Sequence, residues 1–116
     1  MSEIENMLIP SQMLKHEVQD SIIHQRISDG YINATAMCKA SGKQWNDYSR
    51  LSVTKAYLDA LSAKTGIPVL ELIQVRKGGN DPSLMGTWVH PQVAINLGQW
   101  LSPEFAVLVT EWFYDW

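Results

Sequence analysis

The chain has 116 residues, 46% of them hydrophobic, with five Trp and a formal net charge of −3, which suits one ordinary globular domain with an apolar core. A single cysteine, Cys38, excludes an intrachain disulfide framework. No apolar run approaches the roughly 18 residues of a membrane span, and Met1 to Asn6 lack the basic and apolar regions of a signal peptide. These features predict a cytoplasmic chain without membrane contact, so the Asn33-Ala34-Thr35 sequon has no consequence.

Taken in chain order, the first dozen residues read as a loose lead-in. Met13 to Val18 and Ile22 to Ile27 are apolar-rich and β-branched, and Gln19-Asp20-Ser21 separates them as in a hairpin. Ser28-Asp29-Gly30 is a second turn, after which Tyr31 and Ile32 continue briefly as strand. Asn33 is placed to cap a short helix over Ala34 to Ala40, and Gly42 to stop it. After a link at Lys43 to Asn46, a second helix is predicted to run to about Lys64. Its buried stripe is read as Val53, Ala56, Tyr57, Ala60 and Leu61, and Gly66 and Pro68 end it. Two helices joined by a short link form a helix-turn-helix arrangement.

Leu70 to Arg76 then reads as a strand. A turn cluster follows, Lys77-Gly78-Gly79-Asn80-Asp81-Pro82-Ser83, and Thr87 to Val89 is the returning strand of a hairpin, or wing. Pro91 to Trp100 is a third helix with proline at its first position. Ser102-Pro103-Glu104 opens a fourth with a hydroxyl cap and an acid near the positive end of the dipole. Phe105, Leu108, Val109, Trp112, Phe113 and Trp116 follow at helical spacing. The predicted fold class is α+β and winged helix-turn-helix-like: an N-terminal hairpin, two helices, a β-hairpin wing and two C-terminal helices.

Charge is unevenly distributed. The section from His24 to Lys77 holds eight Lys or Arg against four Asp or Glu, a net of +4, whereas no Lys or Arg follows Gly78. An acidic protein can still present one basic face to phosphates; scattered solvated charge is the simpler reading of charge alone. In the wing, Arg76 and Lys77 adjoin Gly78, Gly79 and Asn80. Two residues without side chains allow backbone to approach a phosphate or groove, and Asn and Arg can read base edges. Lys39, Lys43 and Gln44 at the exit of the first helix, with Arg50 and Lys55 on the second, supply further donors. Trp45 is expected to anchor the linker in the core.

Enzyme readings are weaker. Ser52-Val53-Thr54-Lys55 matches the short S-x-x-K pattern without its partner motifs. His16, His24, His90 and Cys38 show no metal-ligand spacing, His90 is placed to serve a helix start, and Cys38 reads as a small packed hydrophobe. Lys77-Gly78-Gly79 lacks the spacing of a phosphate-binding Walker loop. No catalytic residue, metal or cofactor is expected.

Four separated segments, in order, resemble the KilA-N family. They are Asp29-Gly30-Tyr31-Ile32-Asn33-Ala34-Thr35-Ala36-Met37 with Gly42-Lys43, then Asp47-Tyr48 and Arg50, then Gly86-Thr87-Trp88-Val89-His90-Pro91, and then Trp100-Leu101-Ser102-Pro103-Glu104-Phe105 continued by Val109 and Trp112. The resemblance spans about Ile22 to Trp116. The family occurs in phages, bacteria and large DNA viruses and is similar to the APSES domain of fungal transcription regulators. It implies duplex DNA binding without a cofactor, in a phage- or prophage-type regulatory protein. It also implies that Tyr31, Trp88, His90, Trp100, Ser102 and Phe105 are architecture.

The expected organisation is therefore a lead-in and start of the first strand over 1–18 and a DNA-binding domain over 19–116. Candidate DNA-contacting residues are Lys39, Lys43, Gln44, Arg50, Lys55, Arg76, Lys77, Gly78, Gly79 and Asn80, with Gln44, Arg50, Arg76 and Asn80 as base readers. The apolar ending, Trp112 to Trp116, is expected to pack into the core; a homodimer or a further C-terminal domain is compatible with it. The rival reading is a protein-interaction adaptor using the apolar C-terminal helix.

Overall fold

In the computed structural model, which describes residues 12–116, the alternating segments pair as their pattern predicts. Strands β1 (Met13–Val18) and β2 (Ser21–Arg26) form an antiparallel hairpin with Met13 opposite Arg26 and Val18 opposite Ser21. The predicted lead-in up to residue 11 lies outside the described residues. Strand β3 (Ile32–Asn33) joins β2, and the β4 (Ile73–Arg76)–β5 (Gly86–Val89) hairpin completes a five-stranded antiparallel sheet in the order β1-β2-β3-β5-β4. With six α-helices added, the α+β class holds.

Helix α1 (Ala34–Ala40) begins as expected: the Asn33 side-chain oxygen accepts from the Ala36 N–H at 3.2 Å. It ends before Gly42, which sits at φ +68°. The predicted single second helix is instead two, α2 (Trp45–Ser49) and α3 (Ser52–Thr65), divided where Leu51 turns extended. Of the predicted stripe, Leu61 is buried and Tyr57 packs against the core, but the other three residues are misplaced. Thr54, Leu58 and Leu61 face inward, while Val53 is 70% exposed and Ala56 and Ala60 are exposed. The physical reason is phase. A continuous helix would carry Thr54, Leu58 and Leu61 roughly 80–140° around from Tyr48, yet all four are buried. The kink at Leu51 re-aims α3 so that both faces meet the core.

A second correction concerns the predicted strand from Leu70. Pro68 starts one helical turn, α4 (Val69–Leu72), which leaves Leu70 exposed and Leu72 buried. Only Ile73 to Arg76 is strand. The loop between β4 and β5 contains a 3-10 turn at Pro82–Leu84, capped by Asp81. Helices α5 (Pro91–Leu101) and α6 (Pro103–Asp115) match expectation, and the Ser102 hydroxyl accepts from the Phe105 N–H at 3.1 Å.

The two sheet faces differ. Ile23, Ile32 and Val89 point into the main core with Met37, Tyr48, Leu97, Val109 and Trp112 from the helices. On the opposite face Tyr31, Trp88 and Leu84 form a smaller cluster with Met13, so there the sheet is roofed by its own β4–β5 loop. Trp112 stacks on His16 of β1 with ring centroids 4.2 Å apart. The C-terminal helix packs into the core through Phe105, Val109 and Trp112; of the apolar ending expected to do so only Trp112 is buried, while Tyr114 is 80% and Trp116 44% exposed.

Candidate nucleic-acid interface

The segments singled out in the sequence are cross-braced. Asp29 forms a two-point ion pair with Arg26, at 2.9 and 2.6 Å, and also accepts from the Tyr31 N–H at 3.1 Å. The Arg26 guanidinium lies 4.6 Å from the Tyr31 ring centre and 5.7 Å from that of Trp88, and donates to Gln74 at 3.1 Å. The Tyr31 hydroxyl donates to the Glu71 carbonyl at 2.8 Å. Arg26 went unassigned in the sequence, although the Arg26/Asp29 spacing around a turn was the available signal.

Asn33 joins two of the segments. While its oxygen caps α1, its amide donates to the carbonyls of Ser83 and Met85 at 3.3 and 3.2 Å. The Thr35 hydroxyl accepts from the Thr87 N–H at 2.9 Å. Gly86 sits at φ +125°, and a Cβ there would lie 2.8 Å from that hydroxyl. A side chain is excluded at this position on both counts. The start of α1 is thereby bolted to the base of the β4–β5 loop. Trp88, buried, donates to the Leu84 carbonyl at 3.0 Å, and His90 accepts from the Gln92 N–H at 3.1 Å to cap α5. Tyr31, Trp88, His90, Ser102 and Phe105 are therefore architecture.

Helix α5 serves as a rail for the connection that carries the other candidates. At its C-terminal end the Lys43 ammonium donates to the carbonyls of Trp100 and Leu101 at 3.1 and 3.3 Å and lies 4.6 Å from the Trp100 ring centre. At its middle the Tyr48 hydroxyl bonds Asn96 at 2.5 Å. At its N-terminal end the Tyr57 hydroxyl donates to the Gln92 carbonyl at 3.0 Å. The chain from Lys43 through α2 into α3 therefore runs along α5 from one end to the other, a span of about 13 Å. Trp45 is half-buried against Tyr48, at 5.3 Å between ring centres, which agrees with an anchoring role.

All ten candidate residues are exposed. They fall into two groups. Lys43, Gln44, Arg50 and Lys55 follow the connection along α5, with Lys39 just before it in the last turn of α1, and Arg50 is paired with Asp47 at 3.1 Å. Arg76, Lys77, Gly78, Gly79 and Asn80 lie at the tip of the β4–β5 hairpin, whose other end, at Val89, leads into α5. Gly79 has φ +121°, open to glycine and strained for other residues. The Lys43 ammonium is already engaged on α5, whereas the Lys39, Lys55, Arg76 and Lys77 side chains project outward.

Burial lowers the pKa of His16, His24 and His90 below the ordinary value, against a raising contribution from a hydrogen bond to Gln25 at His16. Burial likewise pushes the Cys38 thiol up to about 11, which suits a packed hydrophobe and not a nucleophile. Among the described residues no cluster of three His, Cys, Asp or Glu could hold a metal, and no helix is long and apolar enough to cross a membrane.

A sheet roofed by its own loop on one face and by helices on the other, with exposed cations on a helical connection and a hairpin tip, defines a small α+β domain. The family model described as "KilA-N domain" matches residues 15–116, and the chain belongs to that family. Its domains are generally associated with DNA binding rather than catalysis. Three relatives are KilA-N domain-containing proteins of Acanthamoeba polyphaga mimivirus. L32 is 39% identical over 70 residues, covering 60% of this chain and 19% of the relative. L4 is 31% identical over 69 residues, covering 60% and 15%, and R878 is 30% identical over 74 residues, covering 60% and 21%. The chain thus matches about a fifth or less of the length of these curated relatives. No solved structure matches.

Proposed function

We propose that this chain binds duplex DNA through the α2–α3 connection and the β4–β5 hairpin tip, as part of a phage- or virus-type regulatory protein. The observation that carries the reading is the family match over 15–116. Exposed cations support it: Lys39, Lys55, Arg76 and Lys77 neutralise phosphates and release counterions, which supplies affinity. Helix α3 enters or flanks the major groove, and the hairpin tip acts as a wing on an adjacent groove or backbone. Gly78 and Gly79 let the tip's backbone come close, while Gln44, Arg50, Arg76 and Asn80 are the base readers. Arg50 must exchange Asp47 for its target to do so. Lys43 holds the connection on α5 and contributes mainly by positioning it.

The test is fluorescence anisotropy with labelled duplex. Arg76→Ala with Lys77→Ala should weaken binding, reduce the salt slope by roughly one to two as cationic contacts are lost, and relax the sequence preference that Arg76 supplies as a base reader. Unchanged affinity and slope would remove the hairpin tip from the interface.

One observation favours a second reading. Val107 and Tyr114, two turns apart on α6, are 60% and 80% exposed on one side of that helix. An adaptor function would use this strip to hold a protein partner, and its binding would vary little with salt.

A further inference from the structure

Helix α3 carries apolar residues on two faces. Leu58 and Leu61 meet the core beside Thr54, and the bond from the Tyr57 hydroxyl to the Gln92 carbonyl fixes that orientation. The other members of the predicted stripe, Val53, Ala56 and Ala60, are left outside, with Val53 70% exposed. Their spacing of i, i+3 and i+7 keeps them together on one side of the helix. A face with the spacing of a buried one is therefore open to solvent. A β-branched residue gains nothing from such a position, where alanine is the better helix former. Folding alone gives no reason for Val53.

The surroundings of Val53 narrow what could cover it. Arg50, in its exposed pair with Asp47, precedes it by three residues, and exposed Lys55 follows by two. Cations on both sides suit a polyanion better than a basic or purely apolar partner. Exposed Asp59, one turn beyond Lys55, repels phosphates from the later part of the helix, so the contact is confined to its first turns. Short side chains at Ala56 and Ala60 let a partner come near, with the Val53 methyls reaching farthest. The base edges in a major groove are lined with hydrogen-bonding groups, and their apolar feature is the methyl at C5 of thymine; 5-methylcytosine carries the same group. Valine can make no hydrogen bond, so this methyl is the base-edge group it can prefer.

We propose that Val53 is a specificity-determining residue that reads a pyrimidine 5-methyl group in the major groove. The inference rests on the DNA-binding reading and deepens it at α3. Arg50 and Lys55 supply charge and hydrogen bonds there, whereas Val53 discriminates without either. Uracil or unmethylated cytosine at the contacted step leaves the valine facing a gap and forfeits the burial of one methyl group. Such a loss releases no counterion, so it changes affinity while the salt slope stays the same.

The test uses the whole chain. Duplexes enriched from a randomised pool supply a binding sequence. Anisotropy then compares that duplex with versions in which each thymine is replaced by uracil, or each cytosine by 5-methylcytosine, one position at a time. At a contacted position uracil should weaken binding about fourfold, or 5-methylcytosine tighten it by a similar factor. The first result makes thymine the source of the methyl, the second a methylated cytosine, and either supports the proposal. With Val53→Ala the response at that position should vanish, while the salt slope is kept. This variant folds, because the side chain removed is exposed and alanine favours helix. Responses absent at every position, or equal in the unaltered chain and Val53→Ala, would overturn the proposal and leave duplex binding standing. Failure to bind any duplex at low salt would overturn the DNA-binding reading and the role of Val53 with it.

Discussion

Asn33 does more structural work than its short side chain suggests. It caps α1 and satisfies two carbonyls of the β4–β5 loop while buried. Losing a helix N-cap costs about 1 kcal/mol, and losing two part-buried hydrogen bonds adds about 1–3 kcal/mol. Asn33→Ala should therefore lower stability in urea by about 2–4 kcal/mol, whereas a loss under half a kilocalorie would show the loop to be held otherwise. The three histidines give a pH prediction. Burial lowers their pKa in the fold, so the unfolded chain binds more protons as pH falls through the ordinary value of 6.5. Their contribution is complete above that value and is lost progressively below it. The thermal midpoint should fall between pH 7 and pH 5; a midpoint flat over that interval would contradict the burial argument. The roles of Asn33 and Gly42 around α1 were legible because caps and stops are written locally. Arg26 was legible only in part: its spacing to Asp29 is a local signal, whereas Gln74 and Trp88 are distant in sequence and meet it only across the sheet.

At the scale of elements, hairpins and capped helices could be read from alternation and turn residues. The division of α2 from α3 could not. Val53, Ala56, Tyr57, Ala60 and Leu61 have a helical period as good as that of Thr54, Leu58 and Leu61, and the true stripe opens with a hydroxyl residue. The anchoring of Tyr48 and Tyr57 on α5 selects between the two phases. The same connection is held at its start by Lys43, which caps the carbonyl end of α5. Lys43→Met keeps much of the contact with Trp100 while removing the charge and both hydrogen bonds. It should cost about 1–2 kcal/mol of stability, measured by denaturant unfolding, and weaken DNA binding chiefly by loosening α2. A variant of unchanged stability with lost DNA affinity would instead make Lys43 a direct phosphate contact.

At the scale of the whole molecule, the domain is acidic yet carries exposed cations from the end of α1 through the α2–α3 connection and at the hairpin tip, besides Lys15 on β1 and Lys64 late in α3. The +4 section was legible as a charge count; its division between a rail along α5 and a loop braced by Asn33 was not, because both depend on long-range contacts. The central claim is that this arrangement grips duplex DNA by its phosphates. The most direct measurement is anisotropy of a labelled random-sequence duplex with the folded chain across a salt series. Binding should be micromolar or tighter at low salt and fall steeply as salt rises. No binding at low salt by a chain shown to be folded would contradict it and leave the exposed strip on α6 as the surface to pursue.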